Sequence, residues 1–192
     1  MTAQKRGPLL QALRDATGVR HREVETLLPP VWSALGRAGY ATYLSRLAGF
    51  QLPLEERLFA AHDWAALGLP DAATRPRGAL LRADLAALGV DAGSLPRATA
   101  LPDVQDFGRA LGVLYVLEGS TLGGQVLARE VARGAAGAPT SFLNGAGDDT
   151  ATRWTSFGRF AEAQATRAPR LEAQAVAAAT ETFAALAAWL RT

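Results

Sequence analysis

His21 has the neighbours that a metal-binding imidazole needs. It lies in the segment LRDATGVRHREVE, with Arg14 seven residues before it and Glu25 four residues after it. Both spacings return to the same face of an α-helix. Glu25 can accept a hydrogen bond from one ring nitrogen, which orients a His whose other nitrogen binds a metal, and Arg14 can meet a carboxylate. A lone His on a helix is more often a surface or packing residue, so both interpretations stay open.

A cluster of glycines marks a second segment, EGSTLGGQVLAREV, at residues 118–131. The surrounding residues favour a helix, yet each glycine in a helix interior costs roughly 1 kcal/mol relative to alanine. Gly119 and Gly123 fall on one helix face and expose bare backbone there. Close packing of two helices is one explanation. With Gly124 beside them, the density of glycines also suggests a bent helix whose backbone lies against a flat ligand.

Composition narrows the chemistry. The 192 residues include no Cys, and the histidines are His21 and His62. The lack of Cys excludes thiolate metal sites, Cys nucleophiles and cofactors attached through thioethers. Two imidazoles are too few for a zinc site of three His ligands within one chain. The formal net charge is +2 and the basic residues are scattered, so no polybasic run predicts nucleic-acid binding.

The apolar residues do not predict a membrane protein. No stretch approaches the roughly 18 uninterrupted apolar residues of a membrane span. The N-terminal segment lacks the apolar core of a signal peptide. We therefore expect a cytoplasmic protein with no membrane or nucleic-acid partner.

Apolar residues recur at intervals of three and four throughout the chain, which predicts an all-α fold. We expect a single domain over residues 1–192, with roughly seven or eight helices. Pro53 is expected to kink or split the second helix, Asp103 to cap the fourth, and the glycine cluster to interrupt the fourth. The predicted helices cover residues 8–28, 40–62, 77–88, 104–133, 152–167 and 171–190.

The two segments together resemble the haem oxygenase family. LRDATGVRHREVE is similar to the family's proximal N-terminal helix, in which a His ligates haem iron. YVLEGSTLGGQVL is similar to its kinked distal helix, whose glycines approach the other face of the haem. The resemblance implies a single-domain haem oxygenase-like multi-helix fold, with haem held between these two helices. It runs from about Leu9 to the last helix, is weaker between Leu54 and Leu101, and is greatest to the bacterial branch associated with bacteriophytochromes.

The resemblance implies a role for each matching residue. His21 is implied as the iron ligand and Glu25 as its hydrogen-bond partner. Arg14, together with Arg159 in the segment RWTSFGRF, is implied to bind the haem propionates. The implied catalytic residues of the distal helix are Gly119, Ser120 and Gly123. The other residues expected around the haem are Tyr115, Leu122, Leu127, Phe183 and Leu186.

The family's reaction is implied as the function. In it, O₂ cleaves haem b, which is both cofactor and substrate, to biliverdin, carbon monoxide and ferrous iron. An external electron donor, such as a reductase or a ferredoxin-type protein, is required because no flavin or nicotinamide motif occurs in the sequence. The reaction is expected to supply iron or a bilin chromophore, with a bacteriophytochrome as a candidate partner.

One position departs from the animal enzymes of the family. Those enzymes have an Asp after the first distal glycine, which organises a water network, whereas this chain has Ser120. We therefore expect proton delivery through water held by Ser120, by backbone groups and by Tyr115.

Three other functions stay open on the sequence. A non-catalytic haem carrier would use the same His21 and Arg14 but would not need the distal glycines. A TenA-like hydrolase or an adaptor of the same fold would be expected to use a Cys, which the chain lacks, or a different set of carboxylates. A four-helix di-iron protein needs two Glu-x-x-His motifs, and neither His21 nor His62 ends such a motif.

His62 and Glu118 are the remaining polar residues to consider. His62, in AAHDWAAL, lies near a predicted helix end, where a capping or surface role is more common than metal binding. As a second axial ligand it would close the position that O₂ needs. Glu118 is most simply a solvated charge, although its place beside Gly119 would allow contact with the haem edge.

Overall fold

Seven α-helices build the part of the chain that a computed structural model describes, residues 7–28 and 34–192, and no β-strand occurs in these residues. The all-α prediction is therefore confirmed. Short 3-10 turns lie at Ala72–Thr74, Ala92–Ser94 and Gly147–Asp149. In chain order the helices are α1 (Pro8–Thr26), α2 (Gly36–Ala61), α3 (Gly78–Ala87), α4 (Phe107–Gly134), α5 (Ser141–Asn144), α6 (Thr150–Arg167) and α7 (Leu171–Arg191).

α4 is the central helix, and it packs most extensively on α7. The two helices approach so closely that Gly112 of α4 has no room for a side chain, because a Cβ there would overlap with the backbone of Ala175. Gly108, one turn earlier, is pressed against the side chain of Gln174 in the same way. α1 packs on α7 and on α6. α7 therefore connects the N-terminal helix to the centre of the fold.

Two hydrophobic clusters fill the interior, and α4 contributes to both. The first lies where α1, α4, α6 and α7 meet, with Leu13 and Phe157 fully buried in it. The second lies where α2, α3 and α5 cover the C-terminal half of α4, and it includes Leu85, Ala128 and Phe142. α4 is also the one helix of the described residues that is long and apolar enough to cross a membrane, but half of its apolar window is buried inside the fold. It therefore packs as the central helix of this fold.

Pro53 does not split α2, which runs without a break from Gly36 to Ala61 and begins earlier than predicted. A proline has no N–H and leaves the carbonyl four residues before it without its helical partner. That carbonyl belongs to Gly49, and it accepts a hydrogen bond from the N–H of Ala98 at 2.8 Å. The predicted split is wrong because a tertiary hydrogen bond replaces the one that the helix loses.

α4 begins at Phe107, and its cap is Asp106 instead of the predicted Asp103. The carboxylate of Asp106 accepts a hydrogen bond from the N–H of Gly108 at 2.9 Å. The helix continues to Gly134 without a break, so the predicted interruption at the glycine cluster is wrong. None of the three glycines adopts a left-handed backbone conformation. A bend of the helix at this point stays a prediction.

The other predicted helices are confirmed with small shifts of their ends. α3 and α7 differ from the prediction by one residue at an end, and α6 begins at Thr150, two residues early. α1 begins at Pro8 as predicted and ends at Thr26. The prolines predicted to stop it, Pro29 and Pro30, lie outside the described residues.

A buried ion pair links α4 to the segment that follows α2. The Nη1 atom of Arg75 lies 2.7 Å from Oε2 of Glu118, and both side chains are almost completely buried. Arg75 also donates hydrogen bonds to the carbonyl of Pro70 at 2.7 Å and to the hydroxyl of Ser156 in α6 at 3.0 Å. One guanidinium group therefore fixes this connection against two helices.

We expect the substitution Arg75→Met to lower the free energy of unfolding by about 3–5 kcal/mol, because it leaves the carboxylate of Glu118 buried without its ion-pair partner. The double variant Arg75→Met/Glu118→Leu should recover at least half of that loss, since neither charge of the pair remains buried. Urea denaturation followed by circular dichroism measures both variants.

The control is Arg82→Met, which breaks an ion pair with Glu56 that is nearly half exposed. Exposed pairs contribute about 1 kcal/mol or less, so this variant should change stability little. Equal losses in the single and double variants at Arg75 would contradict the proposed cost of the buried charge.

Candidate active site

His21 lies on α1 with one ring nitrogen engaged and the other available. Its Nδ1 atom is 3.3 Å from Oε1 of Glu25, and the two side chains are 56% and 55% exposed. The ring of Phe183 in α7 meets the imidazole edge-on, with ring centroids 5.5 Å apart. Nε2 of His21 has no partner among the described residues. The imidazole is therefore oriented by two neighbours and can bind a ligand through Nε2.

The two arginines predicted to bind carboxylates lie in different surroundings. Arg14 is exposed on α1, and no ion pair or hydrogen bond within the described residues engages its guanidinium. Arg159 is exposed on α6 and lines an open groove with Leu67 and Pro70. Neither His21 nor the distal glycines line that groove. The roles of both arginines stay predictions.

The three glycines of the cluster in α4, Gly119, Gly123 and Gly124, differ in what surrounds them. Gly124 is buried, and a Cβ there would overlap with the carbonyl oxygen of Leu143 in α5. A Cβ at Gly123 would meet no atom of the described residues within 4 Å. One at Gly119 would make only ordinary contacts, at 3.8 and 3.9 Å, with the ring of Trp154. Helix packing therefore explains Gly124 but not Gly119 or Gly123.

Gly119, Leu122, Gly123 and Val126 form an open stripe along α4. Their spacing of three and four residues places them on one face of the helix. Leu122 is 41% exposed and Val126 is 55% exposed, whereas the N-terminal part of α4 is largely buried. This open stripe is apolar, carries few side-chain atoms and has no cover from the described residues. These are the properties of a surface that binds a flat apolar ligand.

Aromatic side chains border the N-terminal end of the open stripe. Trp154 of α6 lies beside Gly119, and its ring centroid is 5.8 Å from that of Tyr115. Leu127 and Leu186, two other residues predicted to surround the ligand, are partly buried against the hydrophobic clusters. Tyr115 thus lies at the stripe, whereas the roles of Leu127 and Leu186 stay predictions.

Arg77 holds the hydroxyl of Ser120 from inside the fold. This hydroxyl donates a hydrogen bond to the carbonyl of Leu117 at 2.7 Å and accepts one from Nη2 of Arg77 at 2.7 Å. Arg77 is buried, with its guanidinium carbon 4.7 Å from the centre of the Phe142 ring. Burial lowers the pKa of Arg77, and the nearby carboxylate of Glu55 opposes that shift. Sequence reasoning missed Arg77 because it lies in a connector far along the chain from its partner and belongs to no motif.

His62 and Glu118 are both used by the fold. His62 ends α2, where its Nε2 lies 2.9 Å from the carbonyl oxygen of Val104 and its ring contacts those of Trp64 and Phe107. It therefore lies at a helix end, as predicted, but its ring packs on aromatic neighbours instead of lying free on the surface. Glu118 is buried in its ion pair with Arg75, so the prediction of a solvated charge is wrong, whereas a contact with the haem edge stays a prediction.

The described residues fit a flat, metal-bearing ligand with a single axial protein ligand. His21 offers one imidazole nitrogen, and the open stripe offers apolar surface with room for a small molecule above Gly123. α1 and α4 both pack on α7, and Phe183 of α7 belongs to the same hydrophobic cluster as Tyr115. Within residues 7–28 and 34–192, no group of three His, Cys, Asp or Glu could hold a bare metal ion.

Comparison with known proteins agrees with this fit. The family model described as "Heme oxygenase" matches residues 7–192. Among solved structures, the NO- and CO-bound heme oxygenase from Neisseria meningitidis is similar, with a TM-score of 0.76 and 22% identity over 95% of this chain and 90% of that chain. No curated protein sequence was found to match. The family match covers nearly the whole chain, and the structural match shows that the fold is the same.

Substitution by alanine should change the stability of the protein in opposite directions at the neighbouring Gly123 and Gly124. Gly124→Ala puts a methyl group against the backbone of Leu143, so we expect a loss of about 1–3 kcal/mol in stability from overpacking. Gly123→Ala adds a methyl group at an open helix position, so we expect a gain of about 0.5–1 kcal/mol. Urea unfolding of the ligand-free protein measures both changes. A comparable loss in Gly123→Ala would mean that packing explains both glycines.

Proposed function

The chain belongs to the haem oxygenase family of haem-degrading oxidoreductases, and we propose that it cleaves haem b with O₂ to biliverdin, carbon monoxide and ferrous iron. Haem is both its cofactor and its substrate. One observation carries the proposal: the available Nε2 of His21 and the uncovered open stripe occur in the same fold. The first offers the axial ligand, and the second offers a helix face that a ring can approach.

We place the haem iron on Nε2 of His21. Glu25 lies at Nδ1 and favours the tautomer that carries its proton there, which leaves Nε2 free to bind. Phe183 contacts the edge of the His21 imidazole and limits the rotation of that imidazole. When bound, haem would supply the redox chemistry that activates O₂, and His21 would be the side chain that holds its iron.

We place the open stripe on the other side of the haem. Gly119 and Gly123 have no side chains there, so the backbone can come close to the ring and still leave volume for O₂ and water. The hydroxyl of Ser120 already donates one hydrogen bond and accepts one, which leaves a lone pair for a water molecule. We propose that water held by Ser120, with Tyr115 nearby, delivers protons at this face, and that Arg77 keeps the hydroxyl in place.

The propionates of the haem would meet positive charge. Arg14 lies on the same helix as His21 and has no competing partner within the described residues. Arg159 is exposed on α6 and has no competing ion pair within the described residues. Charge-assisted hydrogen bonds from these side chains would govern the affinity and the rotation of the ring more than the chemistry.

A non-catalytic haem carrier is the second candidate. The 56% exposure of the His21 side chain favours it, because a haem on an exposed imidazole exchanges easily. The deciding experiment follows the visible spectrum of the haem-loaded protein after a reductant is added under air. The haem oxygenase loses the haem band and releases biliverdin, whereas a carrier keeps the band.

The proposed setting is a cytoplasmic enzyme that receives electrons from a separate protein, a reductase or a ferredoxin-type donor. Its product would supply iron, or a bilin chromophore for a bacteriophytochrome. Support for the bacteriophytochrome comes only from the form of the glycine motif, GSTLGG.

His21→Ala should abolish the spectrum of protein-bound haem, because the substitution removes the proposed axial ligand. Added imidazole should restore that spectrum by occupying the vacated position. Titration with haemin, followed by absorbance, measures both effects. His62→Ala is the matched control and should keep the native spectrum, since its Nε2 is engaged by Val104. Loss of the spectrum in His62→Ala, with retention in His21→Ala, would refute the assignment.

Gly119→Leu and Gly123→Val should lower turnover to biliverdin by about tenfold or more, a barrier increase of at least about 1.4 kcal/mol. The added side chains would occupy the volume that O₂ and water need. The spectrum of His21-bound haem and the helical content should remain. Ala132→Val adds bulk at an exposed position of α4 outside the open stripe and serves as the control. Normal turnover in both glycine variants would show that the open stripe is not part of the active site.

A further inference from the structure

A series of polar side chains leads from the interior of α2 to the flank of the open stripe. It begins at Glu55 of α2, passes through Arg77 and ends at the hydroxyl of Ser120 in α4. Glu55 and Arg77 are 6% and 7% exposed, whereas Ser120 is exposed. Ser120 lies about 60° from Gly123 round the helix axis. Its hydroxyl therefore lies between the buried Arg77 on one side and the open stripe on the other.

Glu55 holds the backbone next to Arg77. Its Oε1 atom accepts a hydrogen bond from the N–H of Gly78 at 2.5 Å, and its Oε2 atom accepts one from Nε2 of Gln51 at 3.1 Å. The fit at Gly78 is close, because a Cβ there would approach Oε1 of Glu55 to 2.9 Å. Since Gly78 directly follows Arg77, the carboxylate of Glu55 fixes the point from which the arginine side chain extends.

Glu55 also balances the charge of Arg77. Burial lowers the pKa of Arg77, and Glu55 is the strongest of the charges that oppose this shift, followed by Glu118. Glu118 is already engaged by Arg75 at 2.7 Å. A buried charge without compensation is costly. Arg77 therefore relies on Glu55 to remain charged and buried at this place.

Arg77 in turn fixes the hydroxyl of Ser120. Its Nη2 atom donates hydrogen bonds to the carbonyl of Leu117 at 3.1 Å and to Oγ of Ser120 at 2.7 Å. A serine hydroxyl has one hydrogen and two lone pairs. The hydrogen is donated to the carbonyl of Leu117 at 2.7 Å, and Arg77 occupies one lone pair. Turning the hydrogen elsewhere would set a lone pair against that carbonyl oxygen, so only the second lone pair is left for the open stripe.

We propose that Glu55, acting through Arg77, makes the hydroxyl of Ser120 a hydrogen-bond acceptor only toward the open stripe. Glu55 and Arg77 are thus positioning residues. A water molecule at this hydroxyl must donate one hydrogen to Ser120, which orients the water and leaves its second hydrogen for a ligand on the open stripe. A proton delivered there comes from the water and not from the hydroxyl. This consequence rests on the proposed function, whereas the direction of the hydroxyl is a property of the haem-free protein.

The first test uses the haem-free, full-length protein. Neutron diffraction from crystals soaked in D₂O should place the deuterium of Ser120 toward the carbonyl of Leu117. Glu55→Gln keeps an oxygen for the N–H of Gly78 but removes the charge. It should speed hydrogen exchange at the Nη atoms of Arg77, followed by NMR of arginine labelled with ¹⁵N, by about tenfold or more. Glu56→Gln, at the next and exposed residue, is the matched control and should leave this exchange unchanged.

The second test is a double-mutant cycle on the release of biliverdin. Ser120→Ala and Glu55→Gln should each slow it by about fivefold or more, the effect of one lost hydrogen bond. The double variant should be no slower than Ser120→Ala alone, because both substitutions act on the same hydroxyl. A role of Glu55 in stability alone would instead give losses that multiply. Glu55→Asp, which keeps the charge but withdraws the oxygen from Gly78, replaces Glu55→Gln in both tests if that variant does not fold.

Three results would overturn the inference: a Ser120 deuterium directed at the open stripe, unchanged exchange at Arg77 in the Glu55 variant, or multiplied losses in the cycle. Each of them leaves the proposed function intact as long as the wild type releases biliverdin. A wild type that binds haem without degrading it would refute the proposed function instead. The neutron and NMR measurements on the haem-free protein would then decide the inference by themselves.

Discussion

The close approach of α4 to its neighbours is the constraint on which the rest of the structure depends. At Gly112 the helix meets the backbone of α7, and at Gly124 it meets the backbone carbonyl of Leu143 in α5. Neither position leaves room for a single methyl group. Because interiors are packed to high density and yield little, these two contacts fix the position of α4 at both ends of its central part. The open stripe lies between and beside them, so its position follows from packing elsewhere on the same helix.

Polar contacts from one short connection complete the placement of α4. Arg75 meets the carboxylate of Glu118, and Arg77 meets the carbonyl of Leu117 and the hydroxyl of Ser120. Burying such groups is costly, and well-packed apolar residues often stabilise a fold as much or more. Their directional contacts, however, specify one rotation of α4 about its axis. The rotation of α4 about its axis decides whether glycines or bulky residues face the open side. Apolar packing alone specifies this rotation less sharply.

The sequence allowed prediction of those features that depend on local spacing. Glu25 follows His21 by one helical turn, so their contact could be inferred from the chain alone. The contacts that it could not supply join distant segments: Arg77 lies 43 residues before Ser120, and Ala98 provides the hydrogen bond that lets α2 continue through Pro53. The interruption of α4 was predicted wrongly for a related reason. Glycine lowers helix propensity, but burial of the surrounding apolar residues outweighs that preference.

Gly119, Gly123 and Gly124 also show that one glycine cluster can serve both stability and the proposed function. Each lowers the intrinsic preference for helix by roughly 1 kcal/mol. At Gly124 the close packing of α5 offsets this cost within the protein itself, because no other residue would fit. At Gly119 and Gly123 nothing in the described residues offsets it, and Leu122 and Val126 beside them stay in contact with water. A protein selected for stability alone would have side chains there. We propose that the offset comes from a ligand that binds the folded chain and covers the open stripe; by linkage, such a ligand would stabilise the fold that binds it. The proposed haem fulfils this condition, so the fold and its substrate depend on the same uncovered surface.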